Sequence, residues 1–164
     1  MGNRYPVSLT FAIGGAGAQA EIAEKITESL APLLKAKKLK LNVIAGVHRH
    51  IAVSLRTVAK ENGLSSALGR NLFIISSPSK KEYFKTFNKI LHATDVLWTK
   101  PSELVFYAGL GIPILLTPPI GSQEAFNRRW LLEVGAGIDQ KKPEFTHQWL
   151  ADLLQEGALA EAAM

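Results

Sequence analysis

Short apolar runs alternate with helical stripes along the whole chain, and this alternation limits the fold more than any other feature of the sequence. Val7 to Ile13 places Val7, Leu9, Phe11 and Ile13 at period two with small residues between them, as in a strand covered on both faces. The run closes on Gly14-Gly15-Ala16-Gly17. Ile22, Ile26, Leu30 and Leu33 then share one helical stripe, which ends among Lys35, Lys37 and Lys38, where cations favour a helix C-terminus. Leu41 to Ala45 is predicted as a second strand turned by Gly46, and 49–61 as a helix closed by Asn62-Gly63. Leu72 to Ile75 makes a third strand. A Ser/Pro/Lys loop follows, then a helix over Tyr83 to His92 with Phe84, Phe87 and Leu91 along one side. A fourth strand over Val96 to Thr99, a short helix over Ser102 to Leu110 and a fifth strand over Ile114 to Thr117 come next. Helices over Gln123 to Val134 and Thr146 to Gln155 complete the pattern, and the small-residue tail beyond them reads as frayed.

Strands separated by helices form βαβ units with right-handed crossovers. The expected class is therefore α/β: a doubly wound, mostly parallel sheet of about five or six strands with helices on both faces. A chain of 164 residues normally makes one domain, and no repeat or linker divides this one, so 1–164 is taken as a single unit.

Several classes are excluded early. With 47% hydrophobic and 20% charged residues the chain is neither disordered nor collagen-like. The absence of cysteine removes disulfide frameworks, thiolate zinc sites and cysteine nucleophiles, and fits a reducing, cytoplasmic setting. The N-terminal segment mimics a secretory leader, but Ser8 and Thr10 interrupt its apolar stretch. Leu104 to Gln123 carries no charge and is long enough to span a bilayer, yet Gly109, Gly111, Pro113, Pro118 and Pro119 would break such a helix repeatedly. Helix, turn, buried strand and loop are expected there instead. A net charge of +5 favours an anionic partner without specifying its kind.

In open parallel sheets ligands bind beyond the carboxyl ends of the strands, at the point where strand order reverses. Residues directly after each strand are therefore the candidates. Gly14-Gly15-Ala16-Gly17 leads from strand to helix and bares backbone N–H groups suited to a diphosphate; the alternative is a tight turn with close packing. The pattern is neither G-x-G-x-x-G nor a P-loop. After the fourth strand, Ser102 is placed to cap a helix, with Pro101 holding the turn. Glu103 is placed either to accept from a ribose diol or to complement the helix dipole. After the fifth strand, Gln123, Glu124 and Asn127 occupy the first turns of a helix. Gln123 and Asn127, four apart, share a face and can meet one polyhydroxylated ligand. Capping accounts for Ser122 and at most Gln123. Gly46-Val47-His48-Arg49-His50 reads as a solvated basic loop, and histidines at i and i+2 share no helix face, so no metal site is expected.

In combination these clusters resemble the C-terminal, donor-binding half of GT-B glycosyltransferases, in particular the peptidoglycan N-acetylglucosaminyltransferase and diacylglycerol galactosyltransferase group. The resemblance runs from Phe11 to about Asp139. It rests on Asp95-Val-Leu-Trp-Thr-Lys-Pro-Ser-Glu-Leu, Gly111-Ile-Pro-Ile-Leu-Leu-Thr-Pro-Pro, Gln123-Glu-Ala-Phe-Asn127 and Gly135-Ala-Gly137. Their order is specific, although no single motif is. The resemblance implies a Rossmann-like half of a GT-B fold that binds a nucleotide sugar, with UDP-sugar as substrate and no cofactor. Gly14, Gly15, Ala16 and Gly17 would approach the donor phosphates, Ser102 would bind phosphate and Glu103 the ribose. Gln123, Glu124 and Asn127 would contact the sugar or its surroundings, Glu124 standing where the relatives carry a second Gln. The acceptor site and catalytic base would belong to an N-terminal domain or partner subunit, as would any peripheral membrane contact. This chain alone would turn over almost nothing. A nucleotide-binding regulatory module without transfer chemistry is the first alternative. A nucleic-acid binder lacks aromatic residues interleaved with a basic strand surface, and Lys35, Lys37, Lys38, Lys40, Lys80 and Lys81 read as solvated faces. A dehydrogenase-type dinucleotide fold has the wrong glycine pattern and no catalytic His or Tyr/Lys arrangement.

Overall fold

The computed structural model describes residues 6–14, 17–102 and 107–163. Its strands are β1 (Val7–Ala12), β2 (Leu39–Ile44), β3 (Leu72–Ile75), β4 (Val96–Thr99), β5 (Ile114–Leu116) and β6 (Gly137–Asp139). The helices are α1 (Ala20–Ser29), α2 (Ala31–Lys35), α3 (Arg49–Glu61), α4 (Lys80–Leu91), α5 (Ser122–Glu133), α6 (Thr146–Glu156) and α7 (Ala158–Glu161), with a 3-10 turn at Pro143–Phe145. The six strands pair in the order β3-β2-β1-β4-β5-β6, and every pair is parallel. The expected doubly wound α/β class is the one found.

Period-two alternation sorts the side chains onto two faces. Leu9, Phe11, Leu41, Val43, Trp98 and Leu115 face the larger core, which α1, α3 and α6 close with Ile26, Leu55 and Trp149. Ala12, Ile44 and Leu97 face α4 through Phe87 and Leu91, and Ile114 and Leu116 meet Leu131 of α5. Trp98 is fully buried, edge-on to both Phe11 and Trp149 at 5.5 and 5.2 Å, and its Nε1 donates to Gln140 Oε1 at 2.9 Å. Toward the amino ends of the strands a polar cluster, buried at Ser8, Thr10 and Asn42 and reaching the surface at Asp95, ties the sheet together. Asn42 Nδ2 donates to Thr10 Oγ1 at 3.0 Å, Thr10 bonds Thr94, and Asp95 accepts the Ser8 N–H at 2.7 Å. The segment that mimics a leader is thus the central strand. No described helix is long and apolar enough to cross a membrane.

Three expectations need correction, and the sixth strand of the expected range finds its place. The first helix does not run on to the lysines: it breaks at Leu30, because Pro32 in the first turn of α2 lacks the N–H that continuation requires. The helix α4 starts three residues earlier than predicted, where Ser79 Oγ accepts the Glu82 N–H at 3.3 Å as an N-cap. A sixth strand, β6, lies at the sheet edge. It contains Gly137, whose absent side chain leaves room for Leu116 and Leu131; an added Cβ would come within 2.9 and 3.1 Å of them. The tail is not frayed. Gly157 closes α6 in the left-handed region (φ 78°) and α7 follows, burying Leu159 and Ala162.

Candidate functional site

Strand order reverses at β1, whose neighbours are β2 and β4. A cavity of about 390 Å³ opens there, beyond the carboxyl ends of these three strands. One wall is made of Gly14, Thr99, Lys100 and Ser102, and a second of Gly46, Val47 and His48. The third wall is aromatic. Tyr83 stacks on Phe87 at 5.6 Å, Phe87 meets Tyr107 edge-on at 5.8 Å, and Phe84 stands beside them half-exposed, with Lys80 at the start of α4.

Gly14 and Lys100 are interlocked. Gly14 donates its N–H to the buried Gln19 Oε1 at 3.0 Å. The lysine stem crosses directly above: an added Cβ on Gly14 would lie 2.7 and 2.8 Å from Lys100 Cε and Cδ. Lys100 Nζ then reaches Glu124 Oε1 at 2.8 Å, while Glu124 Oε2 accepts the Ile120 N–H at 2.8 Å. Burial pushes the Glu124 carboxyl up, but the Lys100 ammonium and the Ile120 N–H outweigh it and hold the group below its usual value. Asn127 Nδ2 donates to the Pro101 carbonyl at 3.0 Å, so the loop after β4 is fastened to α5 at two points.

Of the residues singled out from sequence, Gly14 and Ser102 line the cavity. Gly15, Ala16 and Glu103 lie outside the described residues. Gly17 sits in the turn below with φ 72°, and an added Cβ would lie 2.8 Å from Ile51 Cδ1, so backbone conformation and packing against α3 both call for glycine there. Gln123, Glu124 and Asn127 stand beside the cavity rather than in its wall. Gln123 is exposed, and the other two are coupled to the cavity through Lys100 and Pro101. Ser122 does not cap α5. Gly121 (φ 121°) holds that position without a side-chain cap, and Glu124 satisfies the preceding N–H instead.

Two basic residues expected at solvated faces belong to the cavity, His48 and Lys80. His48 stood among the strand-end candidates after β2 but read as part of a solvated loop, whereas Lys80 starts α4 five residues past β3 and lay outside the segment predicted as helix. The aromatic wall was hidden because Phe84 and Phe87 follow the same helical spacing as core residues. Among the described residues, no three His, Asp or Glu side chains gather as a metal group. The arrangement suits an anionic group over the Gly14–Lys100 side and a flat or apolar moiety against Tyr83, Phe87 and Tyr107.

This strand order, with a cavity at its reversal, defines a Rossmann-like α/β domain. The chain is similar over 98% of its length to the C-terminal CMP-Kdo binding domain of WaaA from Acinetobacter baumannii, with TM-score 0.66, 15% identity and 86% of that chain covered. MurG from the same organism matches 99% of the chain, with TM-score 0.63, 20% identity and 45% of its own length covered. A putative UDP-N-acetylglucosamine 2-epimerase from Listeria monocytogenes matches 98%, with TM-score 0.63, 14% identity and 40% of its length covered. The fold is that of the C-terminal half of GT-B proteins. The chain spans less than half of the last two structures. Residues 1–70 match a family profile described as a domain of unknown function (DUF6938), and no curated protein matches.

Proposed function

We propose that this chain is the donor-binding half of a glycosyltransferase, holding a nucleotide sugar (a UDP-sugar first) while an N-terminal domain or partner subunit supplies the acceptor site and catalytic base. The observation that carries this reading is the cavity at the strand-order reversal, polar at Gly14, Lys100 and Ser102 and aromatic at Tyr83, Phe87 and Tyr107. Its volume of about 390 Å³ falls within the range of roughly 300–1,000 Å³ common for small-ligand sites. Two of the similar structures bear names that state a nucleotide sugar, which supports the same ligand class here.

Transfer breaks the bond between the anomeric carbon and the donor phosphate, so negative charge grows on the departing nucleotide. Fixed N–H donors and cations at that place stabilise the transition state more than the ground state. In this reading Gly14, Gly15, Ala16 and Gly17 let the backbone approach the phosphates, Ser102 adds a hydroxyl and Glu103 holds the ribose. The first turns of α5, with Gln123, Glu124 and Asn127, lie beside the sugar. Neither cofactor nor metal enters the scheme, and the chain acts in the cytoplasm.

The test is a thermal-shift panel of UDP, CMP, GDP, ADP and dTDP. A nucleotide at a hundred times its dissociation constant adds about 2.7 kcal/mol of stability. For a chain of this size that is a rise of roughly 5–10 °C. UDP is expected to give the largest shift. No shift with any of the five refutes the reading.

A further inference from the structure

We propose that Lys100 is the residue that meets the donor phosphate and that Glu124 is its resting counter-ion, surrendering the ammonium when a phosphate arrives. The proposal rests on the nucleotide reading above and assigns the cation of that site.

Four features of the geometry support it. First, Lys100 directly follows β4, beside the strand-order reversal, and forms part of the cavity wall. The side chain is therefore already at the place where a phosphate over Gly14 would sit. Second, the chain makes room for this lysine: its stem fills the space that any side chain at residue 14 would take. The glycine serves the lysine as well as the ligand.

Third, the pair can open at little structural cost. Of the two ties between the loop that carries Lys100 and α5, the Asn127 bond to the Pro101 carbonyl remains when the lysine leaves. Glu124 keeps the Ile120 N–H on its second oxygen after the lysine leaves, so no carboxylate is stranded without a partner. Fourth, the exchange is favourable. An ammonium has three donors, of which the pair with Glu124 accounts for one. A phosphate group brings up to two negative charges against one on the carboxylate, in a site where both side chains are mostly screened from water, 25% and 13% exposed. Lys80 and His48 add basic character elsewhere on the wall.

The decisive experiment is calorimetric titration of UDP and uridine into wild type, Lys100→Met, Lys100→Arg and Glu124→Gln, each checked for a native circular dichroism spectrum. Methionine keeps an apolar stem over Gly14 and removes the charge and its N–H donors. Lys100→Met should weaken UDP roughly tenfold or more, as for a lost hydrogen bond to a charged group, and change uridine less than about twofold. Lys100→Arg should restore most of the UDP affinity. Glu124→Gln should tighten UDP about three- to tenfold, because it removes a competing charge at close range while its amide oxygen still accepts from Ile120. This sign separates the readings. A Glu124 that touches the ligand, or that merely positions Lys100, predicts weaker binding. Weaker or unchanged UDP binding by Glu124→Gln, or equal losses of UDP and uridine in Lys100→Met, overturns the proposal. A wild type that binds UDP with these signs absent refutes the lysine assignment alone; a wild type that binds neither ligand refutes the nucleotide reading with it.

Discussion

Replacing Gly14 by alanine puts a methyl group where Lys100 crosses the turn. Gly14 is not among the residues with positive φ, so the backbone accepts alanine and the cost is one of space. The new Cβ would stand 2.7 and 2.8 Å from Lys100 Cε and Cδ and 2.9 Å from Gln19 Oε1. The lysine can swing outward, but only by leaving Glu124. That partly screened pair is worth on the order of 1 kcal/mol. Gln19 is 2% exposed and has no such escape. Moving its oxygen weakens the bond to the Gly14 N–H, at about 0.5–1.5 kcal/mol. Against these losses, alanine restricts the unfolded chain and returns about 0.4–1 kcal/mol. The balance is a destabilisation of about 0.5–2 kcal/mol, or a fall in Tm of roughly 1–8 °C for a chain of this length. Urea unfolding followed by circular dichroism, on Gly14→Ala, Lys100→Ala and the double variant, measures it. Lys100→Ala removes the two carbons that clash, so Gly14→Ala should cost less in that background, by about 0.5–1 kcal/mol. A Gly14→Ala variant as stable as wild type, or strict additivity with Lys100→Ala, refutes the close crossing of Lys100 over Gly14.

Glu124 is held below the usual carboxylate range by the Lys100 ammonium and the Ile120 N–H, so its contribution to stability is complete above the ordinary glutamate value and fades as pH falls through the lower folded-state value. Urea midpoints between pH 6 and 3 should therefore drop more steeply for wild type than for Glu124→Gln, and parallel profiles would contradict the pairing. Leu159→Ala should cost about 2 kcal/mol or more, because Leu159 of α7 is 5% exposed within the main core. A loss below about 0.5 kcal/mol in denaturant midpoints would mean that α7 does not pack as described.

The fold was legible because its signals are local. Leu9 and Phe11 at period two, and Ile26 and Leu30 at helical spacing, lie on the buried sides that the pattern assigns them. What escaped depends on partners distant in the chain. β6 has three residues, one of them glycine, and exists because Leu116 and Leu131 need a neighbour without a side chain. The tail looked featureless because alanines and one leucine carry little pattern, yet α7 docks on the main core. Within the site, Gly14 and Ser102 could be found by their position after a strand. Lys100 was visible in the sequence, but its bond to Glu124 spans 24 residues, and nothing in the local spacing announces it. The Ser79–Glu82 cap, by contrast, was readable as a Ser-x-x-Glu start and would have placed Lys80 correctly.

The docking of α6 has a consequence for how the chain leaves the ribosome. β1, β2 and β3 follow one another with α1 and α3 between them, so their pairing can begin as soon as the first half of the chain has emerged. Their helical layer cannot close at that stage. Ser29 at the end of α1 accepts the His147 N–H across 118 residues, and Trp98 meets Trp149 from the same late helix. Until residues 146–156 are synthesised, an apolar strip along α1 and the centre of the sheet stays uncovered. The nascent domain therefore offers that strip to chaperones, or to other unfinished chains, for the whole of its synthesis.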